Sequence, residues 1–208
     1  MSQFRLFVDA RHVSPYAMSV QVALREKGLD FETVPVDLDQ GQNQAPDYAR
    51  LSLTRRVPTL VHDGLALAES SAITEYLEDL FPEPPLYPRD PVLRARARQV
   101  QAWVRSDLMP IREERSTLVV FYGVKKPPLS AAGQAAADKL IAAAEAWLPA
   151  GAEYLCGDWS IADVDLAVML NRLILNGDAV PQRLQDYAAR QWQRPSVREW
   201  VEQARPAL

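Results

Sequence analysis

Eight consecutive residues, Phe81-Pro-Glu-Pro-Pro-Leu-Tyr-Pro, contain four of the chain's sixteen prolines. A proline has no main-chain N–H, and its ring clashes with a preceding helical turn, so no helix crosses this stretch. It reads as a stiff connector, taken as residues 82–91. The connector divides the 208 residues into two differently patterned parts. At about 150 residues per domain, this length suits one domain or two small ones.

Residues 1–81 mix strand and helix signals. Phe4, Leu6 and Val8 alternate with their neighbours as a short strand does. Ser14-Pro15 opens a helical stretch from Tyr16 to Lys27, with Val20, Ala23 and Leu24 on one face, and Gly28 stands where a terminating glycine belongs. Phe31 to Val36 suits a strand, but Pro35 cannot donate to a ladder and places it at a sheet edge. Asp37 to Arg55 is polar and has no clear period. Val57 to Val61 and Leu65 to Leu67 flank Asp63-Gly64, a strong hairpin signal. Ser70 or Ser71 is then expected to cap a helix carrying Ile73, Tyr76, Leu77 and Leu80. The expected order is βαβαββα around a mixed sheet.

Residues 92–208 read as helical throughout. Leu93, Ala97, Val100, Val104, Leu108 and Ile111 recur at intervals of three and four, and Pro110 should kink or break that helix. An alanine-rich helix spans Ser130 to Leu148. Ile161 to Leu175 is apolar nearly all round, as a central buried helix is. Further helices are expected after Pro181 and Pro195. The fold class is therefore an α/β domain followed by an all-α domain.

Three short features carry chemistry. Ser14-Pro15 is good helix capping by itself; a hydroxyl beside free N–H groups at a helix start is equally a site for an anion. A serine without an adjacent base is a poor nucleophile, so its chemical role would be to donate a hydrogen bond to a bound thiolate. In Arg56-Val57-Pro58-Thr59-Leu60 a proline interrupts a strand-like run. A trans proline opening an edge strand accounts for it. A cis Val57–Pro58 bond would instead turn the main chain of Val57 outward, free to pair with an extended ligand. Glu69-Ser70-Ser71 caps a helix on the plain reading. It also sets a carboxylate beside N–H donors and a hydroxyl, a pairing complementary to a zwitterion.

Together these features resemble the cytosolic glutathione transferases, in order and along the whole chain: the Val-Pro turn, the Glu-Ser-Ser run, the proline-rich connector and the helical second domain. The resemblance implies a thioredoxin-like, glutathione-binding domain over residues 1–81 and an acceptor site in the helical domain over 92–208. In the serine-type classes the position matching Ser14 stabilises the glutathione thiolate, and the position matching Val57, before a cis Pro58, pairs with the cysteinyl main chain. Glu69 and Ser70 match residues at the γ-glutamyl end. Arg56 matches a basic position near the glycyl carboxylate, for which Arg55 is an equal candidate. Gln40 to Gln44 lacks the lysine some classes place there. Trp159-Ser160-Ile161-Ala162-Asp163 looks like the family's capping box at the start of its buried helix. The pattern is similar to a small bacterial, serine-type subgroup with peroxidase-like activity.

The implied function is activation of the glutathione thiolate for attack on a hydrophobic electrophile, with reduction of organic hydroperoxides as a companion activity. The alternative is a non-catalytic glutathione-binding carrier or assembly module. A glutaredoxin-like oxidoreductase needs a cysteine where Ser14 stands. A homodimer follows from the resemblance alone. Composition narrows the rest. The single Cys156 forms no internal disulfide or CxxC motif, and two histidines, His12 and His62, do not make a His-rich metal centre. Glutathione is thus expected as co-substrate, with no metal. A pI near 5.3 argues against general nucleic-acid binding. No apolar run reaches membrane-spanning length and no secretory signal opens the chain, so a cytoplasmic location is expected. There is no GxG or GxSxG motif.

Overall fold

Phe4, Leu6, Phe7 and Val8 are all buried, and strand β1 (Phe4–Asp9) accordingly runs through the middle of a four-stranded sheet. The computed structural model describes residues 3–208; Met1 and Ser2, which open the N-terminus read for a leader, lie outside the described residues. Helix α1 (Pro15–Glu26) follows β1, and Gly28 at φ +65° closes it, with Leu29 N–H reaching Leu24 C=O at 3.0 Å. Strand β2 (Phe31–Val36) pairs in parallel with β1 at the sheet edge, the place Pro35 allows. The polar segment without a clear period holds a 3₁₀ turn (Gln42–Gln44) and helix α2 (Pro46–Leu51). Strands β3 (Thr59–His62) and β4 (Leu65–Ala68) form the expected hairpin, turned by Asp63 and Gly64, both at positive φ. Helix α3 (Ser70–Leu80) completes the order βαβαββα and packs on α1. The sheet order is β2-β1-β3-β4, with β3 antiparallel to β1. This is a thioredoxin-like domain.

One local expectation fails. Ser70 and Ser71 both lie inside α3; the capping position belongs to Glu69, whose φ of +70° and ψ of 110° break the strand and start the helix. The break leaves the first turn of α3 with no side-chain cap.

A buried ion pair ties the connector to the first domain. Lys27 Nζ lies 2.5 Å from Glu78 Oε2 and donates to Pro84 C=O at 2.6 Å, while the same carboxylate oxygen accepts Leu86 N–H at 2.9 Å. Removing one partner of such a pair strands the other charge, so Lys27→Met is expected to destabilise the protein by about 3–5 kcal/mol. The double change Lys27→Met, Glu78→Leu should recover most of that loss. Urea unfolding of both variants checks this.

By its contacts the chain divides into Met1–Leu86 with Arg198–Leu208, and Tyr87–Val197. The second unit is helical: α4 (Pro91–Ser106), α5 (Met109–Glu114), α6 (Thr117–Tyr122), α7 (Ala131–Trp147), α8 (Ile161–Ile174), α9 (Gln182–Trp192) and the start of α10 (Pro195–Glu202). The break near Pro110 falls at Asp107–Leu108, with Leu108 at φ +61°. Every residue from Ile161 to Leu173 is buried, and α4, α5, α6, α7 and α9 all pack on α8. The capping box forms as expected: the buried Asp163 carboxylate accepts Ser160 N–H at 2.9 Å, and it also takes Leu155 N–H (2.8 Å) and Tyr187 O–H (2.9 Å). Four arginines of α4 and α5 find partners within the unit. Arg94 donates to Pro88 C=O, Arg98 lies over the Tyr87 ring, Arg105 pairs with Asp165 at 2.9 Å, and Arg112 donates to Arg105 C=O. Cys156 is buried, and burial pushes its thiol pKa up to about 11, which leaves it unreactive.

Candidate active site

The ladder register gathers the sequence candidates at one end of the sheet. β1 ends at Asp9 and leads through a short turn to Ser14. β3 begins at Thr59, opposite Phe7 of β1, so Val57 and Pro58 sit beside the exit of β1. Ala68, the last residue of β4, faces Thr59, which puts Glu69 and Ser70 at the same end. Both α1 and α3 therefore start there, pointing the positive ends of their dipoles to one region.

Ser14 is the N-cap of α1. Its hydroxyl accepts Ala17 N–H at 3.2 Å, which uses a lone pair and leaves the hydroxyl proton to be donated elsewhere. The turn before it is held by Asp9, a residue the sequence reading passed over. The buried Asp9 carboxylate accepts Val13 N–H and Ser14 N–H, each at 2.8 Å, and Asp9 C=O accepts His12 N–H at 2.9 Å. His12 sits at φ +52°, a conformation that persists only where its surroundings fix it. Burial lowers the His12 pKa, with Asp9 raising it and Arg205 lowering it further.

The Val57–Pro58 peptide is cis. Val57 is half-buried, and among the described residues none hydrogen-bonds its main-chain N–H or C=O. The preceding carbonyl is held tightly. Arg56 C=O accepts the hydroxyls of Tyr48 (2.7 Å), Thr59 (3.1 Å) and Ser52 (3.3 Å). Burial raises the Tyr48 pKa, keeping it a phenol donor at any physiological pH. Tyr48 and Ser52 lie in the segment that looked featureless in sequence; no local pattern announces a hydroxyl whose partner is a carbonyl of another segment. Both Arg55 and Arg56 are exposed, but Arg55 donates to Gln44 Oε1 at 3.0 Å, while no described residue takes the Arg56 guanidinium.

Glu69 is exposed at the head of α3 in its positive-φ conformation, and Ser70 next to it is buried. A non-glycine residue in such a conformation costs on the order of 1–3 kcal/mol and persists only where its surroundings fix it. The set can thus offer hydroxyl and N–H donors to an anion, an unpaired peptide edge to an extended chain, and a carboxylate to an ammonium group. Among the described residues no group of three or more His, Cys, Asp or Glu side chains could hold a metal. No helix among them is long and apolar enough to cross a membrane.

A four-stranded thioredoxin-like domain followed by an α-helical second unit is the fold of the two-domain glutathione transferase class. Comparison with known proteins agrees. The N-terminal domain pattern of glutathione S-transferases matches residues 10–85 and their C-terminal domain pattern matches residues 90–205. The chain belongs to the glutathione S-transferase family. The structure of a glutathione transferase homologue from Burkholderia gl BGR1, with bound glutathione, is 46% identical, covers 96% of both chains and superposes with a TM-score of 0.80. A maleylacetoacetate isomerase from Methylobacterium extorquens AM1, with bound malonate and glutathione, is 28% identical over 98% of this chain and 100% of its own, with a TM-score of 0.77. Among curated relatives, the maleylacetoacetate isomerase of Pseudomonas aeruginosa is 43% identical over 110 residues, 51% of each chain. The chain thus spans about half the length of the curated relatives it matches.

Proposed function

We propose that this protein is a serine-type glutathione transferase that binds glutathione across the open end of its sheet. The observation that carries the reading is the convergence, at that end, of a serine hydroxyl with a proton to give, an unpaired peptide edge at Val57 and a carboxylate-bearing helix start at Glu69-Ser70. Val57 N–H and C=O pair with the cysteinyl residue as an added strand does. Ser70 and the first turn of α3 take the γ-glutamyl carboxylate and Glu69 its ammonium, while Arg56 faces the glycyl carboxylate. The cysteine sulfur then falls at the start of α1, where the Ser14 proton and the helix dipole favour its anion. The protein supplies no nucleophile; it places and charges one.

With an electrophile, the thiolate forms a carbon–sulfur bond and the leaving group departs with the electron pair. With an organic hydroperoxide, the thiolate takes the terminal oxygen and releases an alcohol once the alkoxide is protonated. A second glutathione reduces the resulting sulfenic acid, giving glutathione disulfide and water. Relatives that hold glutathione or are named isomerases support glutathione-dependent catalysis in general, and the peroxidase branch rests on the serine-type pattern. The same reading carries a homodimer in the cytoplasm.

The test is a calorimetric titration with glutathione and with cysteinylglycine, followed by a panel of aryl halides, organic hydroperoxides and a maleyl-type isomerisation substrate on the same preparation. Glutathione should bind, cysteinylglycine should bind at least about tenfold more weakly for want of the γ-glutamyl contacts, and at least one acceptor should turn over. Equal binding of the two thiols removes Glu69 and Ser70 from the site. Binding with no turnover on any acceptor favours the carrier alternative.

A further inference from the structure

The turn that presents Ser14 is held from two sides, and only one of them is local. Asp9 grips it from within β1, through the N–H groups of residues 12, 13 and 14. From the other side comes the far end of the chain. Arg205 Nε donates to His12 C=O at 3.2 Å, and the indole of Trp200 meets the His12 ring edge-to-face at 5.6 Å between centroids. The same guanidinium fork holds the carbonyls of Trp200 (2.7 Å), Val201 (2.9 Å) and Gln203 (3.2 Å), so it closes the end of α10 and clamps the His12 turn at once. Arg25 and Glu199, joined at 2.6 Å, fasten the same segment to α1. Trp200 is fully buried.

His12 is the residue in the turn that needs holding. At φ +52° it occupies a sparsely populated backbone well, and relaxing it would swing the two following residues, the second of which is Ser14. Asp9 accepts all three N–H groups, but the His12 carbonyl needs a donor, which Asp9 lacks. Arg205 takes that carbonyl.

We propose that Arg205 and Trp200 are positioning residues for Ser14, clamping the His12 turn so that the serine hydroxyl is aimed at the bound sulfur. This rests on the reading of Ser14 given under Proposed function, and it makes the last eleven residues part of how the first domain's site is set.

The experiment uses the full chain with Arg205→Met, which keeps the side-chain stem, and Arg205→Lys, which keeps the charge but lacks the fork needed to span four carbonyls. Each is made alone and together with Ser14→Ala. The readouts are the pKa of the enzyme-bound thiol, from the pH dependence of thiolate absorbance, and the separate values of kcat and KM. Both single variants should raise the bound-thiol pKa by about half a unit and lower kcat severalfold, with KM for glutathione within about twofold. In the Ser14→Ala background neither should add a further shift, because the effect passes through that hydroxyl. Restoration by lysine identifies a through-space charge effect and overturns the proposal. So does a shift that adds to that of Ser14→Ala, or a loss of thermal stability with no change in thiol pKa. If Ser14→Ala is itself silent while Arg205→Met raises the thiol pKa, the serine reading fails instead, so the two failures are separable.

Discussion

Replacing Ser14 with alanine is expected to leave glutathione affinity within a few-fold, raise the bound-thiol pKa by about one to two units and cut turnover at neutral pH by roughly ten- to a hundredfold. The split between affinity and turnover follows from the geometry. The contacts assigned to the tripeptide's main chain and its two ends lie on Val57, Glu69, Ser70 and Arg56, and none involves the Ser14 hydroxyl. What alanine removes is the one donor whose interaction strengthens as the sulfur becomes an anion. An unperturbed thiol has a pKa near 8.5, and a bound thiol held near about 7 becomes mostly protonated at pH 7 once its pKa rises by one unit. Helix α1 also loses its cap, at about 1 kcal/mol of stability, which a melting curve separates from the kinetic effect. A pH–rate profile that superposes on that of the unmodified protein would remove Ser14 from the chemistry.

A large effect on stability is expected in the helical unit, from Asp163→Ala. This side chain accepts two main-chain N–H groups, from Leu155 and Ser160, and the hydroxyls of Ser160 and Tyr187, all buried. Alanine strands these donors where water does not reach, and each stranded donor costs on the order of 1–3 kcal/mol. The full sum is not expected, because a buried carboxylate is itself costly: burial raises the Asp163 pKa in spite of its hydrogen bonds. Balancing the two gives a net loss of about 3 kcal/mol, or a melting temperature lower by roughly 6–12 °C in a chain of this size. Asp163→Asn, which keeps one acceptor oxygen, should lose less. Calorimetry on both variants checks the order.

Much of the fold was legible from short-range pattern. Alternation marked β1, Asp63-Gly64 marked the hairpin, and the all-round apolar run of α8 marked a buried centre, because each is a local consequence of what the element packs against. Residues 37–55 were not legible, since the 3₁₀ turn and α2 are stabilised by partners beyond their own stretch, such as Asn43 with Arg55 C=O. The short α6 was missed for lack of room to display a helical period. The candidates Ser14, Val57, Pro58, Glu69 and Ser70, which the structure brings to one end of the sheet, stand out in sequence because each lies in a tight local motif. The cap of α3 was misassigned because Ser is the usual residue there, and nothing in the sequence says that Glu69 takes a positive φ. The supports were invisible for a different reason. Asp9 lies three to five residues from the N–H groups it holds, but Arg205 is 193 residues from His12, and no periodicity links such a pair.

The three hydroxyls on the carbonyl of residue 56 have a bearing on how this surface can diversify. They set the direction of the next peptide through Tyr48, Ser52 and Thr59, not through the side chain at 57 itself. Position 57 is therefore free to drift among apolar residues of similar bulk without altering what it offers a passing backbone, whereas drift at 48 or 59 changes that offer without touching it. Selection for a new tripeptide-like partner would be recorded in the scaffolding hydroxyls before it is recorded in the residue that makes the contact.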